Sequence, residues 1–185
     1  KGERYIKNFL LKSDRNANIV IQENPNGMGD AVLNFEKSPF AESSKNILLI
    51  WGDIPFIRKS TVKKMIKSHF KNNNTFTFIT SDTDKAYTRV KRNERGEVID
   101  IIETREEGIP IIRGERDIGL FIFKKDKVFD LLKLDLKKKY SLNSKEHGFL
   151  YIVNYLVKSG LRVEGIKIAN KKELISLNRI SDLNF

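Results

Sequence analysis

The sequence predicts an α/β protein with a mixed sheet between helical layers, and three observations carry that prediction. Short apolar runs of strand length alternate with stretches whose apolar residues recur at helical spacing, the pattern of α/β layering. One stretch departs from it: Tyr87 to Lys91 alternates and Asn93-Glu94-Arg95-Gly96 supplies turn residues, so residues 87–103 read as a hairpin that makes the sheet mixed. A glycine-bearing turn and an aspartate follow two of the strand candidates, and the carboxyl ends of strands are where open α/β sheets bind ligands.

Taken in order, Tyr5 and Phe9 open a helix, and Ile19 to Gln22 reads as a first short strand. Gln22-Glu23-Asn24-Pro25-Asn26-Gly27-Met28-Gly29-Asp30 frees the backbone before Ala31, Val32 and Phe35 fall on one helical face. Ile47 to Trp51 is continuously apolar, as expected of a strand covered on both faces, and Gly52-Asp53-Ile54-Pro55 follows it. Ser60 and Thr61 cap a helix carrying Val62, Met65, Ile66 and Phe70. Strands are expected at Thr75 to Thr80, Tyr87 to Lys91, Val98 to Glu103, Ile118 to Phe123 and Val163 to Ile168, with helices at Val128 to Leu132 and Ile152 to Val157. No repeat, low-complexity tract or linker interrupts residues 1–185, so one domain is expected.

With no cysteine, no disulfide supports the fold, and packing must stabilise it. The 39% hydrophobic and 32% charged content is that of a soluble globular chain, and no apolar run approaches the roughly 18 residues of a membrane span. Residues 1–12 are charged and amphipathic, unlike a secretory signal, so the cytoplasm is the simplest location. A net charge of +11 fits a polyanionic partner, yet lysines such as Lys63, Lys64, Lys67 and Lys137 to Lys139 are scattered on polar faces without interleaved aromatics. Charge alone therefore identifies no partner, and nucleic-acid binding is a subordinate reading.

Read alone, each motif has a plain structural explanation. Gly27-Met28-Gly29 suits any tight turn, Asp53 is a turn-former before Pro55, Glu103 is a strand-end charge, and Asn178 is a capping residue. Trp51 reads as a strand aromatic buried in the core, His69 as a solvent-facing helix residue and His147 as a loop residue; neither histidine sits in a metal cluster. Arg89, Arg105 and Arg113 are candidate phosphate contacts or solvated charges.

The order of the motifs is more specific than any one of them. Gln22 with Gly27 to Val32, Gly52-Asp53-Ile54-Pro55, Tyr87-Thr88-Arg89-Val90, Ile102-Glu103, Asp117-Ile118-Gly119, Glu146, and Ser176-Leu177-Asn178-Arg179-Ile180-Ser181-Asp182-Leu183 run nearly end to end as in one known family. In that order the chain resembles the sugar-phosphate nucleotidyltransferases, most closely the uridylyltransferase (pyrophosphorylase) domain of bacterial N-acetylglucosamine-1-phosphate uridylyltransferase. The resemblance implies a three-layer α/β/α fold with a Rossmann-like mixed sheet of the nucleotide-diphospho-sugar transferase (GT-A-like) type. It also implies transfer of a nucleotidyl group from UTP to a sugar-1-phosphate, giving a nucleotide sugar and pyrophosphate. By that resemblance Gln22, Gly27, Met28, Gly29 and Gly52 bind the nucleotide, Thr88, Glu103 and Asp117 bind the sugar, and Asp53 and Asn178 are the catalytic pair that holds Mg²⁺. The hard oxygen donors of a carboxylate and an amide suit that ion, with phosphate and water completing its octahedron.

Departures from the family pattern are equally specific. The Gly-rich, basic phosphate loop of a first βα unit has no counterpart here, so the chain as it stands is expected not to turn over. Thr88 stands where the uridylyltransferases carry glycine and Asp117 where they carry asparagine, while Gly148 and Leu150 replace an aromatic and a threonine near the sugar. Another acceptor, a cytidylyltransferase, or a non-catalytic regulatory subunit of the same fold remain as alternatives; a homo-oligomer is compatible with the sequence. Nothing resembling a hexapeptide-repeat acetyltransferase lies within 1–185.

Overall fold

Side-chain alternation along the two longest strands decides the layers of this computed structural model, which describes residues 3–13, 17–104, 107–178 and 182. The elements in order are α1 (Glu3–Lys12), α2 (Met28–Leu33) running into a 3₁₀ turn (Asn34–Lys37), β1 (Asn46–Ile50), α3 (Lys59–Lys71), β2 (Phe76–Ala86), β3 (Thr88–Arg92), β4 (Val98–Glu103), β5 (Ile112–Lys124), α4 (Lys125–Lys133), α5 (Ile152–Lys158), β6 (Val163–Lys167) and a last 3₁₀ turn (Lys171–Leu174).

The main sheet has the order β1-β5-β2-β6; β5 runs antiparallel to β1 and β2, while β2 and β6 are parallel, so the sheet is mixed as expected. On one face Phe121 and Phe123 of β5 and Phe76 and Phe78 of β2 meet Val32, Phe129, Leu132, Phe149, Ile152 and Leu156, joining α2, α4 and α5 to the sheet. On the other face Ile118, Leu120 and Ile122 alternate toward Met65 of α3 with Ile79. That gives three layers, α/β/α. The β3–β4 hairpin forms its own two-stranded sheet and lays Val98 and Ile101 into the aromatic core.

Four expectations change. Among the described residues Ile19 to Gln22 makes no ladder and is not a strand: the run is short, and its residues are half-buried or exposed. β1, whose apolar run predicts cover on both faces, lies at the sheet's end with Leu48 and Ile50 exposed. Arg58, not Ser60 or Thr61, is the N-cap of α3, with no side-chain cap bond.

The fourth change is His69, which is buried rather than in solvent. His69 Nδ1 lies 2.9 Å from Thr77 Oγ1, which also accepts from Asn74 Nδ2 at 3.0 Å, and His69 Nε2 lies 3.1 Å from Asn46 Oδ1. Burial between these partners favours the neutral ring. Burial, then Lys124, hold its pKa below the ordinary 6.5, against a smaller opposing pull from Glu164. Because the fold disfavours the cation, this group's stabilisation is present above the unfolded pKa and is lost as pH falls through it toward the lower folded value. Urea unfolding is expected to lose on the order of 1 kcal/mol between pH 7.5 and 5.5, and His69→Gln to remove part of that loss; an unchanged pH dependence in the variant would contradict this.

Candidate functional site

Two distant segments meet at the carboxyl end of β1. Asp53 follows that strand, and the chain after the last 3₁₀ turn returns to it: Leu177 N donates to the Asp53 carbonyl at 2.8 Å, and the Ser176 hydroxyl donates to Asp53 Oδ2. The same hydroxyl accepts from Asn178 Nδ2 at 2.7 Å, so Ser176 bridges the Asp53 and Asn178 side chains. Asn178 N donates in turn to Asp182 Oδ2 at 2.8 Å. Arg179, Ile180, Ser181 and Leu183 of this motif lie outside the described residues, as does Arg105.

Glu173 holds this returning loop in place. Only 1% exposed, it accepts from Arg58 N at 3.1 Å, Arg58 Nε at 2.7 Å and Asn170 N at 3.1 Å, while Asn170 Oδ1 accepts from Glu173 N to complete a capping box. Burial alone would raise its pKa; the donors from Asn170 and Arg58 help hold the carboxylate below the usual range.

Trp51 joins Asp53 to the glycine turn. Its indole N–H donates to Met28 Sδ at 3.0 Å, and its main-chain N–H to Gly119 O at 3.0 Å. Gly119 has φ 77°, and a Cβ there would fall 2.6–2.8 Å from the Trp51 ring, so glycine is required on both conformational and steric grounds. Two residues earlier, the fully buried Asp117 accepts from Thr88 Oγ1 at 2.5 Å and from Gly119 N at 2.9 Å. Its pKa is raised by burial, against the Thr88 and Gly119 hydrogen bonds and nearby Arg116. Thr88 and Asp117, expected at the sugar, therefore bond to each other and have almost no exposed surface through which to touch a ligand in this conformation.

The turn itself is clamped by chain 146–148. His147 N donates to Asn26 O at 2.6 Å and Gly29 N to His147 O at 2.9 Å. Gly27 has φ 103°, and a Cβ on it would fall 2.6 Å from the His147 carbonyl oxygen; one on Gly29 would run into the Gly148 carbonyl. The close approach served by both glycines is thus to the protein's own backbone. Met28 is the first residue of α2 rather than part of a loop. Gln22 Nε2 spends both hydrogens, on Gly27 O at 3.1 Å and Asp30 Oδ2 at 2.8 Å, which fixes its amide and leaves Oε1 as an acceptor. Gly52 is exposed, with nothing within 4 Å of where a Cβ would stand.

Beyond Gly148 lies a cavity of about 560 Å³ between β4, residues 137–142 and α5, lined among others by Asp100, Glu103, Glu107, Tyr140, Tyr151 and Tyr155. Glu103 is partly exposed in its wall. Glu146 is exposed beside the turn. Arg113 lies 4.0 Å from Asp84 on open surface, and Arg89 runs along Gly114. Ser176, Glu173, His147 and Gly119 were not singled out as site residues by the sequence, although Ser176 opens the motif that carries Asn178 and Gly119 closes Asp117-Ile118-Gly119, where a strand glycine marks a close approach. Among the described residues no cluster of three or more His, Cys, Asp or Glu is placed to hold a metal, and no helix is long and apolar enough to cross a membrane.

Comparison with known proteins places the chain by its fold and its family. The Bifunctional protein GlmU of Thermodesulfovibrio yellowstonii is 28% identical over 172 residues, covering 91% of this chain and 36% of its own length. That of Marinomonas sp. is 39% identical over 95 residues, half of this chain and 20% of its own. The chain thus spans about a third or less of these relatives. Among solved structures, HddC from Yersinia pseudotuberculosis shares the fold at a TM-score of 0.59 and 18% identity, over 98% of this chain and 71% of that one. A nucleoside-diphosphate-sugar pyrophosphorylase from Vibrio cholerae does so at 0.60 and 14%, over 88% and 65%. Residues 4–164 match the nucleotidyl transferase family model, and the chain belongs to that family.

Proposed function

We propose that the protein containing this chain transfers a uridylyl group from UTP to a sugar-1-phosphate resembling N-acetylglucosamine-1-phosphate, releasing pyrophosphate in a Mg²⁺-dependent reaction in the cytoplasm. The observation that carries the reading is the convergence of Asp53 and Asn178, 125 positions apart, through one serine hydroxyl beside the Gln22 to Gly29 turn. Gln22 favours uracil: its free Oε1 accepts from the N3–H of that base, whereas cytosine has an acceptor at N3. Glu103, in the wall of the 560 Å³ cavity, accepts from sugar hydroxyls.

Asp53 and Asn178 fit Mg²⁺ in kind, since that ion takes one or two protein oxygens and leaves the rest to phosphate and water. Holding it requires the Asn178 amide to rotate, because Nδ2 rather than Oδ1 now faces Ser176. The bound ion would stabilise charge on the transferring phosphoryl group. The chain's own contribution is alignment of an acceptor oxygen with the α-phosphorus, where effective molarities reach about 10⁵ M or more, and no protein nucleophile takes part.

A thermal-shift screen with the four triphosphates and Mg²⁺ tests this. At 100 times its Kd, UTP should stabilise by about 2.7 kcal/mol, roughly 5–10 °C for a chain of this size. Asp53→Ala should abolish the Mg²⁺-dependent part of the shift and pyrophosphate release by the intact protein. No shift with any triphosphate would reject the reading.

A further inference from the structure

We propose that His147 is a positioning residue of the nucleotide site: it sets the Gly27–Gly29 turn through both main chain and ring, and ties that turn to Tyr151 in the wall of the acceptor cavity. The proposal rests on reading the Gln22 to Gly29 segment as the nucleotide wall.

The geometry is specific to this residue. Its main chain bonds the turn on both sides, donating to Asn26 O and accepting from Gly29 N. Its ring lies under Gly29, where a Cβ would stand 2.7 Å from Cδ2 and 2.8 Å from Nε2. The same Nε2 lies 3.4 Å from Tyr151 Oη, a long contact that brings the ring to the cavity side. The imidazole is 5% exposed and packs against the Tyr140 and Tyr151 rings, with centroids at 5.9 and 6.2 Å. A loop residue with no structural task would not be buried between two binding walls.

Protonation should loosen the clamp. Burial, then Lys139, hold the His147 pKa below 6.5, against a smaller opposing effect from Asp30. The other titratable groups around it are Tyr140, Tyr151 and Glu146; the Tyr151 phenol is pushed up by burial and by its tyrosine neighbours, so it stays protonated throughout the relevant range. The neutral ring is therefore the one the fold favours, and the ring's part in the clamp weakens as pH falls through the histidine's lowered pKa while the two main-chain bonds remain.

The test measures UTP affinity of the intact protein from pH 8 to 5.5, together with hydrogen exchange at the Gly29 amide. His147→Ala should weaken UTP binding at least fivefold at pH 7.5 and speed Gly29 exchange by a similar factor. His147→Gln, whose amide reaches Tyr151 without titrating, should restore affinity to within twofold and flatten the acid limb beyond what the triphosphate's own titration produces. Wild-type affinity and exchange in His147→Ala, or an acid limb in His147→Gln matching the wild type, overturns the proposal while leaving the function standing. Wild-type protein that binds no UTP rejects the function and this inference with it.

Discussion

Gly119→Ala is expected to lower unfolding stability by about 2–5 kcal/mol and to weaken UTP binding in the same protein. Two effects add. At φ 77° a side chain pays on the order of 1–2 kcal/mol for the left-handed conformation. The new methyl would also sit 2.6–2.8 Å from the Trp51 ring, and relieving such overpacking in a filled site costs roughly 1–3 kcal/mol. The indole cannot retreat freely, because its N–H is bonded to Met28 Sδ at 3.0 Å and its ring packs on Phe121 with centroids 6.0 Å apart. Movement of Trp51 therefore carries Met28 and the glycine turn with it. Denaturant unfolding and UTP titration check both halves; a stability change under about 0.5 kcal/mol, the ordinary range for an inert surface substitution, contradicts the close packing argued here.

Glu173→Ala should cost a comparable amount, about 2–4 kcal/mol, and should act from a distance on Asp53 and Asn178, the pair proposed to hold Mg²⁺. Removing one partner of a buried ion pair costs roughly 3–5 kcal/mol when the other charge stays buried, and Arg58 at 46% exposure recovers part of that from water. Two main-chain donors, Arg58 N and Asn170 N, lose their acceptor as well. The loop from Asn170 then loses its anchor to the start of α3, and Ser176 and Asn178 lose their placement beside Asp53. The expected signature is a Mg²⁺ requirement shifted to higher concentration with UTP affinity in the absence of metal little changed. Because the Glu173 pKa lies below the carboxylate's ordinary value, its stabilisation is present above the unfolded pKa and disappears as pH falls through the folded one. The gap between wild type and variant should accordingly narrow in strong acid. A gap that stays constant down to pH 3 would assign the loss to packing.

How far the sequence reached depended on whether a feature was local. β4 was legible to the residue, Val98 to Glu103, because a turn at Asn93 to Gly96 and an apolar run fix a hairpin from neighbouring residues. The helix at 59–71 was legible from its apolar spacing, although its cap was misplaced. His69 misled the reading: by position it rides on a polar helix face, but α3 turns that face toward Asn46 and Thr77, and a buried side chain with two partners gives no local sign of itself. β1 misled it in the opposite direction, since an apolar run reports a preference for cover and not which neighbour supplies it.

By itself the sequence determined the layered fold, the positions of the two glycine-bearing motifs and the family order of Gln22, Asp53, Glu103 and Asn178, because periodicity and motif order are written along the chain. Only the tertiary structure decided that Ser176 bridges Asp53 and Asn178, that Thr88 donates to a buried Asp117, and that Gly27 and Gly29 make room for residues 146–148. The physical reason is common to all three: each depends on distances between segments far apart in the chain, and those distances are set by how the sheet and its helices pack.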